Sequence, residues 1–87
     1  MGLRANFSTN LRRIRTAKGL SQEHVALEAS INRTYLSDLE RDVYSASLDV
    51  VERVATALNV DPIDLLRPSP IVPTDKQSRS KRRNVRG

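Results

Sequence analysis

Residues 20–41, LSQEHVALEASINRTYLSDLER, constrain the fold of this chain most strongly, because they predict two short amphipathic helices with only a tight turn between them. Apolar residues at helical spacing form one stripe in each half, at Val25, Ala26 and Ala29 and then at Leu36 and Leu39. Ile31 lies between the stripes, where an apolar side chain can fill the corner, and Ala26 is small where the helices approach. The segment therefore predicts a corner that pushes the second helix outward with its polar N-terminal residues exposed.

A first helix precedes this unit. Apolar residues recur at intervals of four and three residues at Phe7, Leu11 and Ile14. This spacing predicts a helix from about Asn6 to Lys18, which Gly19 ends in the left-handed conformation. Ser21 and Asn32 are suited to cap the second and third helices, because each side-chain oxygen can accept an otherwise unpaired backbone N–H. The third helix is expected to end at about Glu40.

Two further helices are predicted after a polar loop at residues 42–46. Ser47 caps the fourth helix and Asn59 ends it. Its apolar face is predicted to contain Leu48, Val51, Val54, Ala55 and Leu58. Asp61 caps a short fifth helix with Pro62 in its first turn, where proline is tolerated. Its apolar residues are Ile63, Leu65 and Leu66, and Pro68 closes it. No segment alternates with period two, so the predicted fold is an all-α domain of five helices.

The 87 residues allow one domain, which we place at residues 1–67, followed by a tail at residues 68–87. Residues 1–67 hold nine basic and nine acidic side chains, whereas the tail holds six basic and one acidic. The whole net charge of +5 therefore lies in the tail. Three prolines open the tail and few apolar residues follow, which predicts disorder. Such a tail could neutralise DNA phosphates or act only as a solubilising appendage.

Several classes of protein are not expected. The chain has no cysteine and no apolar run longer than three residues, so we expect a cytoplasmic protein without disulfides, a signal peptide or a membrane span. His24 has no second ligand placed near it, which favours a solvated side chain over a metal site. No Ser–His–Asp set and no glycine-rich phosphate loop is present, so we expect no enzyme, cofactor or small-molecule ligand.

The chain resembles the Cro/repressor-type helix-turn-helix regulators, also called the xenobiotic-response-element family, which have a lambda-repressor-like fold. The matching residues are Leu11-Arg12, Ile14-Arg15, Gly19 to Glu23, Val25-Ala26, Ile31-Asn32-Arg33, Tyr35 to Ser37, Leu39 to Arg41, Leu48, Ala55 and Ala57 to Val60. They follow the family's order and spacing over about residues 6–67. The resemblance implies that the second and third helices form a DNA-reading helix-turn-helix unit.

The chain departs from the family at two corners. The family usually has glycine where this chain has Ser30, in the turn, and Asp42, after the third helix. Both positions are expected to need a positive φ, which aspartate tolerates better than serine. The loop after Arg41 also lacks the basic residue and proline that are usual there, since Val43 to Ala46 read VYSA. Phosphate contacts from this loop are therefore not expected.

The resemblance implies that the third helix lies in the major groove with its first residues on base edges. Arg33 is the leading candidate, because its planar fork can bind guanine O6 and N7 together. Thr34 can place its methyl group on a thymine, and Asn32 and Tyr35 are candidates for base or phosphate contacts. Asn32 is equally well read as a simple helix cap.

Two further positions complete the predicted base-reading surface. Ser37 and Asp38 lie one turn further along the third helix. Asp38 can accept from cytosine N4, although an acid beside phosphates more often orients a neighbour such as Arg33 or acts against wrong sequences.

Phosphate contacts are expected from the second helix and from basic residues around it. Gln22 opens that helix, where an amide and free backbone N–H groups can hold a phosphate. Further candidates are Arg12, Lys18 and Arg41. The family also tends to pair an arginine and a glutamate at the positions of Arg15 and Glu40, so we expect a mainly structural ion pair across the first and third helices.

The leading functional hypothesis is a sequence-specific regulator that binds a two-fold double-stranded DNA operator as a homodimer, such as a phage-type repressor or a restriction-modification controller. Val50, Ile63 and Leu66 are the apolar residues least needed inside, so we expect them at the dimer interface. Repression and activation stay open, since Asp38, Asp49 or Glu52 could contact RNA polymerase. The alternative is an antitoxin-type interaction module that folds its tail on a partner and regulates its own gene. RNA binding is a third, weaker hypothesis.

Overall fold

The computed structural model describes residues 2–68 and contains five α-helices in this range. They are α1 (Leu3–Ala17), α2 (Gln22–Ala29), α3 (Arg33–Glu40), α4 (Leu48–Leu58) and α5 (Pro62–Leu66). Residues 2–68 contain no strand, which confirms the predicted all-α fold of five helices. The predicted disordered basic tail falls almost wholly on residues 69–87, outside the described residues, and the division into residues 1–67 and 68–87 stays a prediction.

Polar side chains begin α2 to α5 as the sequence predicts. Each of the four caps accepts a hydrogen bond from a backbone N–H in the first turn of its helix. The pairs are Ser21 Oγ with His24 N at 2.9 Å, Asn32 Oδ1 with Thr34 N at 2.7 Å, Ser47 Oγ with Val50 N at 3.1 Å, and Asp61 Oδ1 with Ile63 N at 2.9 Å. These short-range bonds set where the chain turns into each helix.

The start of α1 was predicted too late. The helix begins at Leu3 rather than Asn6, and the backbone N–H of Asn6 donates to the carbonyl of Gly2 at 3.2 Å. Arg4 in this first turn also bonds to Asp42, in the loop after α3. Because this contact joins residues far apart in the chain, apolar spacing within α1 gives no sign of it.

Within residues 2–68, four residues at or just beyond helix ends have the left-handed conformation with positive φ. They are Gly19 (φ 70°), Ser30 (φ 58°), Asp42 (φ 60°) and Asn59 (φ 60°). The positive φ expected at the two corners without the usual glycine is therefore confirmed. Both corners flank α3, so they help to set its direction.

A single apolar core lies between the helices, with α4 packed on α2, α5 packed on α1 and α3 packed on both α1 and α2. Its buried members are Phe7, Leu11, Ile14, Val25, Ala26, Ala29, Leu36, Leu39, Val50, Val51, Val54, Ala55, Leu58 and Leu65. Ile31, predicted to fill the corner, is half-buried and packs against this core. None of the helices within residues 2–68 combines the length and apolar character that a bilayer crossing requires.

The apolar face predicted for α4 is wrong at one residue. Leu48 is 81% exposed, although it shares a helical stripe with Val51 and Ala55. It is the first residue of α4 and lines an open groove with Leu3 and Leu66 instead of entering the core.

Buried amide groups join α1 to the end of α5. Asn10 is fully buried, and its Nδ2 donates to the carbonyl oxygens of Leu65 at 3.0 Å and Arg67 at 2.7 Å. One turn earlier, Asn6 Nδ2 donates to the carbonyl oxygen of Leu66 at 3.1 Å. The last carbonyls of a helix have no intrahelical partner, so these side chains supply what the end of α5 lacks.

Candidate nucleic-acid interface

The N-terminal end of α3 points into solvent while its opposite face is buried. Leu36 and Leu39 are fully buried in the core, whereas Asn32, Arg33 and Thr34 are exposed. Arg33 is the first residue of the helix, and its guanidinium has no hydrogen-bond or ion-pair partner within residues 2–68. Its side chain borders a shallow depression together with Arg15, Ser21, Gln22 and Glu23. The α3 tip is therefore available to a ligand that approaches from outside.

Two of the predicted base contacts also have roles within the protein. Asn32 acts as the cap of α3 through its Oδ1, so its amide nitrogen and the second lone pair of Oδ1 are left to face a ligand. The Tyr35 ring is half-buried and packs against the core. It also lies 6.3 Å from the Tyr44 ring, measured between centroids, with the planes tilted by 42°. Such tilted aromatic pairs are favourable, so Tyr44 helps to hold Tyr35 in place.

The expectation that Asp38 orients Arg33 is not met. Asp38 instead forms an ion pair with Arg41, three residues later, which is the C-cap residue of α3. Arg33 lies five residues before Asp38, which turns the two side chains well apart on an α-helix. The carboxylate of Asp38 is 17% exposed, and its charge offsets that of Arg41, a predicted phosphate contact. Half-buried Ser37 lies next to this pair.

Glu40 joins the three helices beneath this surface. Its carboxylate accepts from Arg15 through both the Nε and the Nη2 of the guanidinium, the latter at 3.0 Å, and from Gln22 Nε2 at 3.0 Å. Arg15 Nη1 also donates to the carbonyl oxygen of Leu20 at 2.8 Å. The side chains of Arg15 and Glu40 are 13% and 4% exposed. The structure thus places the expected ion pair inside the protein, where it fixes α1, α2 and α3 relative to each other.

The candidate phosphate contacts come from three helices. A second depression is lined by Arg12, Arg15, Gln22, Ser37, Glu40 and Arg41. Arg12 is exposed on α1, and Gln22 keeps one amide N–H beyond the one that it gives to Glu40. Lys18 is exposed at the C-terminal end of α1 and borders neither depression. The structure therefore brings Arg12, Gln22 and Arg41 together and leaves Lys18 apart.

Three features of the structure point to one protein family. They are the outward tip of α3, the capped start of α2 beside it and the buried ion pair between α1 and α3. A sequence model of that family, helix-turn-helix, matches residues 11–65. The chain belongs to the helix-turn-helix family. It is of the xenobiotic-response-element type that the sequence resembles.

Known helix-turn-helix proteins match most of the described fold. Control protein C.BamHI of Bacillus amyloliquefaciens is 45% identical over 65 residues, which are 74% of this chain and 80% of that protein. The crystal structure of the restriction-modification controller protein C.AhdI from Aeromonas hydrophila is 40% identical, covers 71% of this chain and 94% of its own, and has a TM-score of 0.69. The controller C.Esp1396I, solved as a tetramer with its natural 35-base-pair operator, is 28% identical over 75% of this chain and 86% of its own, with a TM-score of 0.69.

Of the three apolar residues predicted for a dimer interface, Ile63 alone is exposed in this helix-turn-helix protein. Ile63 is 61% exposed, whereas Leu66 is half-buried and packs against the core. Val50 is only 8% exposed, so the expectation that it is not needed inside is wrong. Its side chain lies one helical turn before Val54 and enters the same core.

The sequence of this helix-turn-helix protein did not indicate two residues of other helices that contact the corners at the ends of α3. Arg4 of α1 bonds to Asp42, and Arg53 of α4 bonds to the carbonyl oxygens at the turn between α2 and α3. The available signal was the lack of glycine at Ser30 and Asp42, because a strained corner without glycine needs support from elsewhere. Within residues 2–68 there is no group of three or more His, Cys, Asp or Glu side chains suited to a metal.

Proposed function

We propose that this chain is a sequence-specific transcriptional regulator that binds double-stranded DNA as a homodimer on a two-fold operator. In this arrangement α3 lies in the major groove and its N-terminal residues meet base edges. The observation that carries the proposal is Arg33, which is exposed at the first residue of α3 without a partner within residues 2–68. An arginine fork presented in this way is suited to guanine O6 and N7.

The surroundings of α3 supply contacts of a second kind. The free backbone N–H groups at the start of α2, the second N–H of the Gln22 amide and the exposed guanidinium of Arg12 are suited to phosphate oxygens. Such contacts fix the register of the protein on the duplex without reading sequence. Because Glu40 holds Gln22 and Arg15 in place, this surface needs little ordering when DNA binds.

The relatives favour one biological role. C.BamHI is named a control protein, C.AhdI and C.Esp1396I are named restriction-modification controller proteins, and the last is solved in complex with its natural operator. We therefore favour a restriction-modification controller that acts in the cytoplasm without enzymatic activity. A methyltransferase or endonuclease gene beside the coding sequence would support this role, whereas a small toxin gene would support the antitoxin alternative.

An activating role would need a surface for RNA polymerase. Of the three acidic candidates, Asp38 pairs with Arg41 and Asp49 pairs with Arg53. Glu52 is exposed on α4 and forms no ion pair within residues 2–68. We therefore place the polymerase contact, if the protein activates, at Glu52.

Replacing Arg33 with alanine should weaken binding to the preferred operator by about 1–3 kcal/mol and relax the preference at one base position. The operator is first obtained by selection from a random duplex pool, and affinity is then measured on it and on its single-base variants. Arg12→Ala is the matched control, because loss of a phosphate contact should weaken all sequences alike and lower the salt slope by about one. Equal loss on all sequences for Arg33→Ala would refute its base-reading role.

Replacing Ile63 with aspartate should weaken the dimer, because a charge would enter an apolar contact between two α5 helices. Sedimentation of the full chain across a concentration series measures this change. Leu27→Asp is the control, since Leu27 is 75% exposed on α2, outside the predicted interface. A sedimentation profile for Ile63→Asp equal to that of the original protein would show that the interface lies elsewhere.

A further inference from the structure

The two corners that flank α3 are both built from residues that disfavour the conformation they adopt. Ser30 precedes the helix with φ 58°, and Asp42 follows it with φ 60°. A side chain at Cβ makes the left-handed region unfavourable, so glycine is the usual residue there. These corners decide the direction in which the chain enters and leaves α3, so any side chain that contacts them from another helix bears on the position of α3.

An arginine from a different helix holds the first corner. Arg53 of α4 donates through Nη1 to the carbonyl oxygens of Ser30 at 3.2 Å and Ala29 at 3.4 Å. The other edge of the same guanidinium donates from Nε and Nη2 to Asp49 Oδ2, at 3.2 Å and 3.0 Å. Asp49 thus aims the planar group at the last carbonyls of α2, which have no partner inside their helix.

A second arginine holds the other corner in the same manner. Arg4 of α1 donates from Nε to Asp42 Oδ1 at 2.7 Å and from Nη2 to the carbonyl oxygen of Asp42 at 3.4 Å. The guanidinium therefore grips both the side chain and the backbone of the corner residue. Lysine cannot replace it, because an ammonium is a point charge without two donors in a fixed plane.

We propose that Arg4 and Arg53 are positioning residues that fix the orientation of α3 by gripping the corner at each of its ends, an inference that rests on the proposed DNA-binding function. Base contacts need α3 within a fraction of an ångström of its correct place, whereas phosphate contacts tolerate a shift. The two arginines therefore act on discrimination between DNA sequences rather than on attraction to DNA.

Arg4→Lys and Arg53→Lys test this role because they keep the charge and remove the fork. We expect affinity for the selected operator to fall about threefold to tenfold in each variant, while affinity for unrelated duplex stays within about twofold. Arg67→Lys is the matched control, since Arg67 forms an exposed pair with Asp64 away from both corners. The ratio of operator affinity to unrelated-duplex affinity should not change in that variant.

Amide hydrogen exchange on the full chain reports the corners without DNA. The N–H of Val43 donates to the backbone carbonyl oxygen of Asp38 at 2.9 Å beside the second corner. The N–H of Ile31 donates to the carbonyl oxygen of Ala26 at 2.9 Å beside the first. Arg4→Lys should speed exchange at Val43, and Arg53→Lys should speed it at Ile31, each by about threefold to tenfold. Each variant should leave the exchange rate of the other amide unchanged, whereas a general loss of stability would speed exchange at both amides.

Glycine substitutions at the two corners separate the effect of the arginine contacts from the effect of the unfavourable positive φ. Asp42→Gly removes the carboxylate that Arg4 binds at 2.7 Å and leaves only the longer bond, at 3.4 Å, to the carbonyl oxygen, so Arg4→Lys should have a smaller effect in that background than in the original protein. Ser30→Gly keeps the carbonyl oxygen that Arg53 grips, so Arg53→Lys should act there as it does in the original protein.

Two outcomes would overturn the inference while the regulator function stands. One is that an operator is selected but both lysine variants keep the affinity ratio and the amide exchange rates of the original protein. The other is faster exchange at the corners with an unchanged affinity ratio, which would make the arginines purely structural. Failure to select any duplex sequence would instead refute the proposed function.

Discussion

Replacing Glu40 with alanine should destabilise the fold by about 3–5 kcal/mol, because it leaves the cation of Arg15 inside the protein without its partner. Both side chains are largely withdrawn from solvent, at 13% exposed for Arg15 and 4% for Glu40. The substitution also removes the acceptor of the Gln22 amide at the start of α2. A domain this small has little stability in reserve, so the loss would unfold a sizeable fraction of the protein.

Thermal and denaturant unfolding of the full chain measure this effect. In a domain of this size, 1 kcal/mol lowers the melting temperature by about 4–8 °C, so Glu40→Ala should lower it by roughly 12 °C or more. Asp64→Ala is the matched control, because Asp64 pairs with Arg67 on the surface, where an ion pair contributes at most about 1 kcal/mol. Equal melting temperatures for Glu40→Ala and Asp64→Ala would contradict the buried role of Glu40.

A double variant separates the loss of the ion-pair attraction from the cost of leaving one buried charge without a partner. When Arg15 and Glu40 are both replaced by methionine, no uncompensated charge remains and the apolar side chains fill similar space. Such replacements of buried ion pairs are often neutral in stability. We therefore expect the double variant to be more stable than Glu40→Ala alone, although Leu20 loses the donor of its carbonyl oxygen.

The helix boundaries that the sequence predicted well depend on contacts within a few residues. Ser21, Asn32, Ser47 and Asp61 each bond to a backbone N–H two or three residues ahead, so residue type and position were enough to predict them. The start of α1 was missed because its N-cap, Gly2, has no side-chain oxygen to mark it, and because Arg4 in the first turn finds its partner 38 residues away. Spacing within one helix contains no information about such a partner.

Burial was predicted less well in the first turn of α4 than in the rest of that helix. Val51, Val54 and Ala55 are buried as expected, because other helices cover the middle of α4. Leu48 and Val50 were assigned to the wrong environments, since the side chains that cover the first turn of α4 come from elsewhere in the chain. A stripe of apolar residues gives the direction of the core but not how far along the helix the core extends.

The residues of the candidate site were also predicted in part, with local features predicted better than contacts between distant residues. Arg33 was identified from its type and its position at the start of α3, and the structure leaves its side chain exposed. Of the alternatives suggested for Asp38, the one that pairs it with Arg33 is not seen, because helix geometry brings Arg41 rather than Arg33 beside it, and its contacts with DNA stay a prediction. Arg53 was not considered, since its link to Ser30 spans 23 residues.

Replacing Asn10 with alanine should destabilise the fold by about 2–4 kcal/mol, since it leaves the buried carbonyl oxygen of Leu65 and the part-buried one of Arg67 without their shared donor. The side chain is fully buried and bonds to the two oxygens at 3.0 Å and 2.7 Å. Denaturant unfolding measures the change, with Asn6→Ala as the control. Asn6 is half-buried and makes one such bond, at 3.1 Å, so its loss should cost about 1 kcal/mol.

Asn10→Leu shows whether the amide or only its volume matters. Leucine fills the space of asparagine with apolar atoms, so it should recover little of the lost stability if the unpaired carbonyl oxygens are the main cost. Because the same two bonds hold the end of α5 against α1, amide exchange at Arg67, whose N–H donates to Ile63 at 3.1 Å, should also become faster. Full stability in Asn10→Leu would show that the carbonyl oxygens at the end of α5 find water instead and that Asn10 serves packing alone.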